Sequence, residues 1–532
     1  MNKKTTLLDT KPIIHNIITP LGMLLKKYLG LVLFLIMLFI SIFSYKEYGL
    51  SWDEPIQRKT GSISYNYIFE HNPHLLSWKD RDYGVAFELP LYMIEKVLKQ
   101  QDRYDIFCTR HLVTHIFFLL GALAAFLLID SIYKNKMLAT LAFLFLVLNP
   151  RIYTHSFFNT KDLPFLSMLI MCLYLTRLAF NKKNIIRFIL LGIGVGLLIN
   201  IRIMGVIVPA TILLFLFLDI FFKEGSVKKN LLLITLFTSI SLLVLYASWP
   251  FLWHSPIKNF IFAFKNMSKF RWGHSVLFGG QFILAEEIGW QYFPVWFAIT
   301  TPIIYILTFL TGVGILIANF FRKPIVFFRN NDKRINILFA VCAFAPIMAV
   351  IILKSVLYDG WRQLYFVYPP MVFIGIYGLN FLLKRKNKIL GYSLISVILL
   401  SMTLTASFMI VNYPFNNVYF NALLSKKEPE HIRKSFDMDY WGTSYKQALE
   451  YILSNDSSQR ISICVANPPG RENIRMLKDQ DRKRIRFTSR KNATYFITNF
   501  RGHPDDYDDL KEYEYHSFKF SNNTINKIFK LK

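Results

Sequence analysis

Leu29-Gly30-Leu31-Val32-Leu33-Phe34-Leu35-Ile36-Met37-Leu38-Phe39-Ile40-Ser41-Ile42-Phe43-Ser44 carries no charge, and Gly49-Leu50-Ser51-Trp52-Asp53-Glu54-Pro55 follows almost at once. A helix over the first segment crosses most of roughly 30 Å of hydrocarbon. The second segment sets two adjacent carboxylates just beyond that helix. Uncharged runs of this kind recur as far as Val411, at 112–132, 136–149, 163–180, 188–201, 203–221, 230–248, 294–320, 335–353, 365–383 and 389–411. With 29–44 they predict eleven spans and an all-α polytopic membrane protein. The composition agrees: of 532 residues, 53% are hydrophobic, 16% aromatic and only 18% charged, with 50 Phe. These values exclude an ordinary water-soluble chain.

Charge orders the spans. Lys plus Arg (62) exceeds Asp plus Glu (34), and in a membrane protein such an excess marks the connections retained on the cytoplasmic side, not nucleic-acid binding. Lys3, Lys4, Lys11, Lys26 and Lys27 precede the first span and no small-residue cleavage site follows it, so 1–28 is read as cytoplasmic. Every second connection is then basic: Lys134 and Lys136; Lys182, Lys183 and Arg187; Lys223, Lys228 and Lys229; Arg322 to Arg334; Lys384 to Lys388. The basic flanks of 188–221 require two passes there, with a turn near Asn200–Arg202 that keeps Arg202 out of mid-bilayer. Residues 29–411 thus form the membrane domain, with a long outer loop at 45–109. Residues 412–532, polar and with short β-rich stretches at 461–466, 485–488, 494–499 and 516–520, predict a small extracytoplasmic α/β domain. Cys108, Cys172, Cys342 and Cys464 lack metal-ligand spacing, which excludes a disulfide scaffold or a zinc module and leaves one Cys108–Cys464 pair open.

The chemistry collects on the outer side. Asp53 and Glu54 open the long loop, and loops of that length usually carry function. The connection Asn149-Pro150-Arg151-Ile152-Tyr153-Thr154-His155-Ser156-Phe157-Phe158-Asn159-Thr160-Lys161-Asp162-Leu163-Pro164 holds Arg, His, Lys and Asp at the membrane surface, a set able to bind an anion or a metal beside a base. Asp162 begins a helix and could equally serve as a cap. Arg110, Arg151, Arg202 and Arg362 border spans where positive charge is normally sparse, and a guanidinium grips phosphate with two hydrogen bonds. Trp249–His254, Arg271–His274, Glu286-Glu287 and Tyr358–Gln363 complete the outer set; their aromatic residues are also ordinary interfacial anchors.

In order and spacing these residues resemble the GT-C type integral-membrane glycosyltransferases, in particular the protein O-mannosyltransferase-like and aminoarabinose (lipid A) transferase-like branch. Asp53-Glu54 resembles the first acidic motif of that group, and Asp162 within Asn-Thr-Lys-Asp-Leu-Pro resembles the second. Phe87-Glu88-Leu89-Pro90 is similar to a Phe-Glu-Lys-Pro-Pro segment whose Glu helps hold a metal and whose Lys approaches phosphate. Leu89 replaces that Lys, so Lys161, Arg151 or Arg202 would have to make the phosphate contact. The resemblance implies a GT-C fold, a polyprenyl-phosphate-linked sugar as donor and a hydroxyl on a protein, lipid or glycan as acceptor. Transfer would be an inverting single displacement. Asp53 is then expected as general base, with Glu54 second and Asp162 in support. Arg110, Arg151, His155, Lys161, Arg202 and Arg362 are expected at the substrate. A divalent cation would fall to Glu88 with His254 or His274, and Asp162 beside them. Asp439-Tyr440-Trp441-Gly442-Thr443-Ser444 is similar to segments of bacterial members of the group and points to no substrate.

No glycine-rich nucleotide fingerprint opens a helix, which disfavours a soluble nucleotide-sugar donor. The alternatives are a transporter or flippase of lipid-linked glycans, a glycan polymerase or ligase, and a receptor or scaffold built on the C-terminal domain. A transporter would place ionisable groups at the midplane or repeat its two halves, and the sequence does neither. The Lys- and Phe-rich composition points to a bacterial inner membrane with the active face toward the periplasm, while a protein of the endoplasmic reticulum would show the same topology.

Overall fold

The computed structural model describes residues 11–268, 270, 272–385, 388–424 and 428–532; Lys3, Lys4, Arg271 and Lys386 lie outside them. Among the described residues nine helices are long and apolar enough to cross a membrane: Lys27–Ser44, Arg103–Tyr133, Asp162–Asn181, Ile203–Phe221, Val227–Ser248, Ile303–Arg322, Asn331–Ile352, Arg362–Leu383 and Ile389–Val411.

The two other expected spans are helical but differ in form. The run expected over 136–149 ends at Val147, and a second helix, Pro150–Phe158, leaves at 64°. Pro150 causes the bend, because proline disfavours helical backbone in the residue before it and supplies no N–H. The Asn149 side chain then accepts the Ile152 N–H at 3.2 Å and caps the new helix. Ile185–Ile201 is apolar but shorter than a full span. The run expected over 294–320 is likewise broken before Pro302, into Tyr292–Thr300 and Ile303–Arg322. In the first connection, expected as a loop over 45–109, most of the chain is structured: helices Glu54–Phe69 and Glu88–Val97 lie there, and the next span begins at Arg103.

Ion pairs mark the two ends of the bundle. At one end Arg177 pairs with Asp332, and Asp219 takes both Lys183 and Arg334, which gathers the basic connections onto one face. Asp53, Asp162, Arg202 and Arg362 meet at the other end, as the charge pattern requires.

Strands β1 (Ser275–Phe278) and β2 (Gln281–Leu284) form a hairpin absent from the sequence reading. The C-terminal sheet contains β3 (Ile461–Val465), β4 (Ile485–Phe487), β5 (Tyr495–Thr498), β6 (Glu514–Phe520) and β7 (Asn523–Lys530) in the order β4-β3-β5-β7-β6. Strand β3 pairs parallel with β4 and β5, while β7 runs antiparallel to β5 and β6. Strand β7, unforeseen, occupies an interior place. Helix Tyr445–Asn455 covers the sheet with Tyr445, Leu449 and Ile452 on Ile463, Ile497 and Ile528. The segment leading into this domain is not a free linker: Val418, Tyr419, Phe420, Phe436, Tyr440 and Trp441 are buried in the core shared with the membrane helices. All four cysteines are free, so the Cys108–Cys464 pair does not form.

Candidate active site

Asp53 and Glu54 diverge, as successive residues at a helix start must. Glu54 turns inward: Oε2 accepts the Ser51 N–H at 2.9 Å and the Ser51 hydroxyl at 3.1 Å, and Oε1 lies 3.0 Å from His111 Nε2. Its side chain is 1% exposed, whereas that of Asp53 is 28% exposed and lies 3.5 Å from the Arg362 guanidinium. Only the Asp53 member of the acidic pair faces the cluster.

Asp162 opens its helix without capping it; Lys161 is the cap residue and makes no side-chain cap bond. The carboxylate instead pairs with Arg202, lies 3.3 Å from Arg362 and accepts from the Asn159 amide at 3.0 Å. Its backbone N–H donates to Asn159 Oδ1 at 2.9 Å. Asp162, at 2% exposure, therefore holds two guanidinium groups in place from beneath. Arg202 stands where expected, in the extended residue between Ile185–Ile201 and the next helix. The turn is held by the outer loop: Asn200 Oδ1 accepts the Ala86 N–H at 3.0 Å, and a Cβ on Gly84 would lie 1.6 Å from the Asn200 carbonyl oxygen. Only glycine permits that approach, and it brings Tyr83 alongside Lys161, whose ammonium sits 3.6 Å over the Tyr83 ring. Burial, reinforced by Arg202, lowers the Lys161 pKa to about 7.

Arg362 is the hub. Its guanidinium meets Asp53, Asp162 and, at 3.1 Å, Asp359, and stacks between Tyr358 at 4.9 Å and Trp441 at 4.5 Å. Asp359 occupies the left-handed region (φ 56°) and Gly360 follows it there (φ 69°); the Gly360 N–H is received by the Tyr292 hydroxyl at 3.2 Å. Strained non-glycine backbone of this type persists only where its surroundings hold it.

Beside this cluster lies a cavity of about 390 Å³. Lys161, Arg202 and Arg362 line its charged end with Tyr83 and Tyr358. Its remaining wall is apolar, from Ile203, Ile207 and Ala210 of one span, Pro346, Ala349 and Leu353 of another, and Phe264 and Met267 of helix Pro256–Ser268.

The other expected site residues are placed elsewhere. Arg110 lies one turn or more inside its helix, fully buried, and its guanidinium is taken up by Glu88 and, at 3.1 Å, Glu95. Arg151 is buried beneath the C-terminal segment; its Nε–H donates to the Tyr419 carbonyl at 2.8 Å and its guanidinium stacks on Trp296 and Phe420. His155 is buried between the Tyr440 hydroxyl (3.3 Å) and Asn159 (3.5 Å). None of the three lines the cavity. The expected metal set does not assemble: Glu88 is committed to Arg110, His254 and His274 are exposed, and among the described residues no three His, Cys, Asp or Glu side chains converge as ligands. The sequence reading gave no individual site role to Tyr83, Asp359, Tyr440, Trp441 or Arg501, although Asp359 lay in the Tyr358–Gln363 stretch and Tyr440 and Trp441 in the Asp439–Ser444 one. Tyr358-Asp359-Gly360 had the composition of a special turn; Arg501, just beyond a strand of another domain, carried no signal.

Across 88% of its length the chain superposes on the oligosaccharyltransferase of Archaeoglobus fulgidus in its apo form, covering 65% of that chain, at 11% identity and a TM-score of 0.52. The fold is the GT-C fold. Against AglB, the archaeal oligosaccharyltransferase of Archaeoglobus fulgidus in complex with an inhibitory peptide and a dolichol-phosphate, the GT-C match covers 90% of this chain and 70% of that one, at 10% identity and a TM-score of 0.51. ArnT from Cupriavidus metallidurans bound to undecaprenyl phosphate aligns over 94% of this chain and 97% of its own, at 11% identity and a TM-score of 0.48. Residues 108–249 match the dolichyl-phosphate-mannose-protein mannosyltransferase family. No curated protein matches the sequence. The chain thus spans about two thirds (65%) of the apo archaeal enzyme, and shares its fold.

Proposed function

We propose that this chain is a membrane glycosyltransferase that moves a sugar from a polyprenyl-phosphate donor to an acceptor hydroxyl, on the face opposite the basic connections. The observation that carries the reading is the cavity: a cationic end of Lys161, Arg202 and Arg362 continuing into an apolar groove between two spans. A phosphate with a prenyl tail is the ligand class that satisfies both ends at once. Leu89, where the resembling segment has Lys, does not line the cavity; the positive charge there comes from Lys161, Arg202 and Arg362.

In this reading Asp53 takes the proton of the acceptor hydroxyl as its oxygen attacks the anomeric carbon. It is the best exposed of the carboxylates around Arg362, at 28% against 2% for Asp162 and 7% for Asp359. A general base in this position contributes about 10²–10⁴-fold. The bond from the anomeric carbon to the phosphate oxygen breaks, and the charge developing on the phosphate is met by Arg202, Arg362 and protonated Lys161 in a water-poor setting, where such contacts weigh most. Asp162 keeps the two arginines in position, and Glu54 anchors the loop that presents Asp53.

Mass spectrometry of polyprenyl-phosphate sugars and envelope glycoconjugates tests the proposal in cells with the wild-type chain, Asp53→Asn, or none. A glycoconjugate lacking one sugar, with its lipid-linked donor accumulating in both defective strains, is the expected result. Unchanged pools in all three would overturn it.

A further inference from the structure

The C-terminal domain reaches the charged cluster with the Trp441 ring, stacked on Arg362, and with one charged side chain, Arg501. Arg501 follows β5, and its backbone N–H donates to Asn499 Oδ1 at 3.3 Å while Asn499 Nδ2 donates to the Asp439 carbonyl at 2.8 Å. From that anchored loop the guanidinium donates to the Tyr440 carbonyl and, at 2.8 Å, to Asp359 Oδ1. The other oxygen of the same carboxylate receives Arg362 at 3.1 Å. Asp359 is thus shared between two arginines, one lining the cavity and one belonging to the C-terminal domain.

The base of this contact is rigid. The Asp439 carboxylate accepts the N–H groups of Thr443 and Ser444 at 3.1 and 3.0 Å and both their hydroxyls at 3.2 and 2.6 Å. It thereby fixes the loop carrying Tyr440, whose carbonyl orients Arg501, and Trp441, which stacks on Arg362. The strained Asp359-Gly360 turn is gripped from the membrane side by Tyr292 and from the C-terminal domain by Arg501.

The electrostatics give the arrangement a purpose. Arg362 faces three carboxylates, Asp53, Asp162 and Asp359, and three such neighbours would quench its attraction for an anion. A second guanidinium on Asp359 draws off part of that charge. We infer that Arg501 is a positioning residue that acts through Asp359 to keep Arg362 available to the anionic headgroup in the cavity, so that the C-terminal domain completes the donor site. This rests on the proposed function, in which the cavity takes a polyprenyl phosphate.

The experiment measures binding of undecaprenyl monophosphate to the purified full chain in detergent, with thermal melting of each variant alongside. Arg501→Gln should weaken binding on the order of tenfold, the lower end of the coupling found between close charge pairs. Arg501→Lys keeps the charge that draws on Asp359 and should remain within about threefold of wild type. Adding Asp359→Asn to Arg501→Gln removes the unshared carboxylate and should restore binding to within about threefold. A role confined to holding the fold gives no such rescue. Wild-type affinity in Arg501→Gln, equal losses in the Lys and Gln variants, or a double variant as weak as the single would each overturn the inference while leaving the proposed function standing. Failure of the wild-type chain to bind would overturn both.

Discussion

Lys161 should make donor binding depend on pH in a way that Arg202 and Arg362 cannot. Burial and Arg202 bring its pKa to about 7 in the empty protein, and a bound phosphate, by opposing that effect, should hold the ammonium protonated well above pH 9. Affinity then follows the protonated fraction of the free protein. That fraction falls from about nine tenths at pH 6 to about one hundredth at pH 9, so binding weakens roughly 100-fold, or about 2.7 kcal/mol. The ligand to use is a polyprenyl phosphodiester, whose single charge does not titrate across this range; a monoester, with its second pKa near 6, would confuse the slope. Equilibrium binding in detergent from pH 6 to 9 reads the effect, and Lys161→Met should bind weakly and without the slope. Stability supplies the opposite sign. Because the folded pKa lies below the unfolded value of about 10.4, the cost of burying the charge is full below pH 7 and fades toward pH 10, so the empty wild type should gain on Lys161→Met as pH rises. A flat affinity in the wild type, or a slope that survives in Lys161→Met, would refute the reasoning.

Asp53→Asn should lower the transfer rate by about 10²–10⁴-fold without weakening donor affinity, since it removes one of the carboxylates facing Arg362, measured as single-turnover sugar transfer beside lipid binding. Arg110→Met should strand Glu88 as a buried, unpaired carboxylate and leave Glu95 only its Arg58 partner, at a cost of about 3–5 kcal/mol, visible as a lower melting temperature and not as a selective loss of donor affinity. Asp439→Ala orphans four N–H and O–H donors of Thr443 and Ser444 and should cost at least about 2 kcal/mol in thermal unfolding. His254→Ala with His274→Ala should leave transfer within about twofold, as surface changes usually do; a large loss would restore both histidines to the site.

Much of this architecture follows from elementary properties of the sequence. Apolar runs must be helical in hydrocarbon because every backbone N–H and C=O must be satisfied within its own segment, and the alternation of basic connections orients them. That reasoning located the spans, the turn at Arg202, the meeting of Asp53 and Asp162 at the end opposite the basic connections, and four of the five C-terminal strands. It failed where one residue redirects a long apolar run, at Pro150 and Pro302, and at β7, whose Asn523–Lys530 polarity conceals an interior strand.

The candidate site was legible as a set of charges on one face, but not as a set of partners. In sequence Arg110, Arg151, Arg202 and Arg362 are equivalent: basic residues bordering spans on the outer side. Tertiary packing separates them, because Arg110 meets Glu88 and Glu95, Arg151 meets the Tyr419 carbonyl and two aromatic rings, and only Arg202 and Arg362 are held by Asp162 at the mouth of a cavity. Asp53 and Glu54 are neighbours in sequence and part in space for the same reason. Which carboxylate neutralises which cation depends on separations of a few ångströms between residues far apart in the chain, 200 positions for Asp162 and Arg362 and 309 for Asp53 and Arg362. Local sequence determines the number and sign of the charges available and the face they occupy; the folded chain alone decides which of them remain free for a ligand.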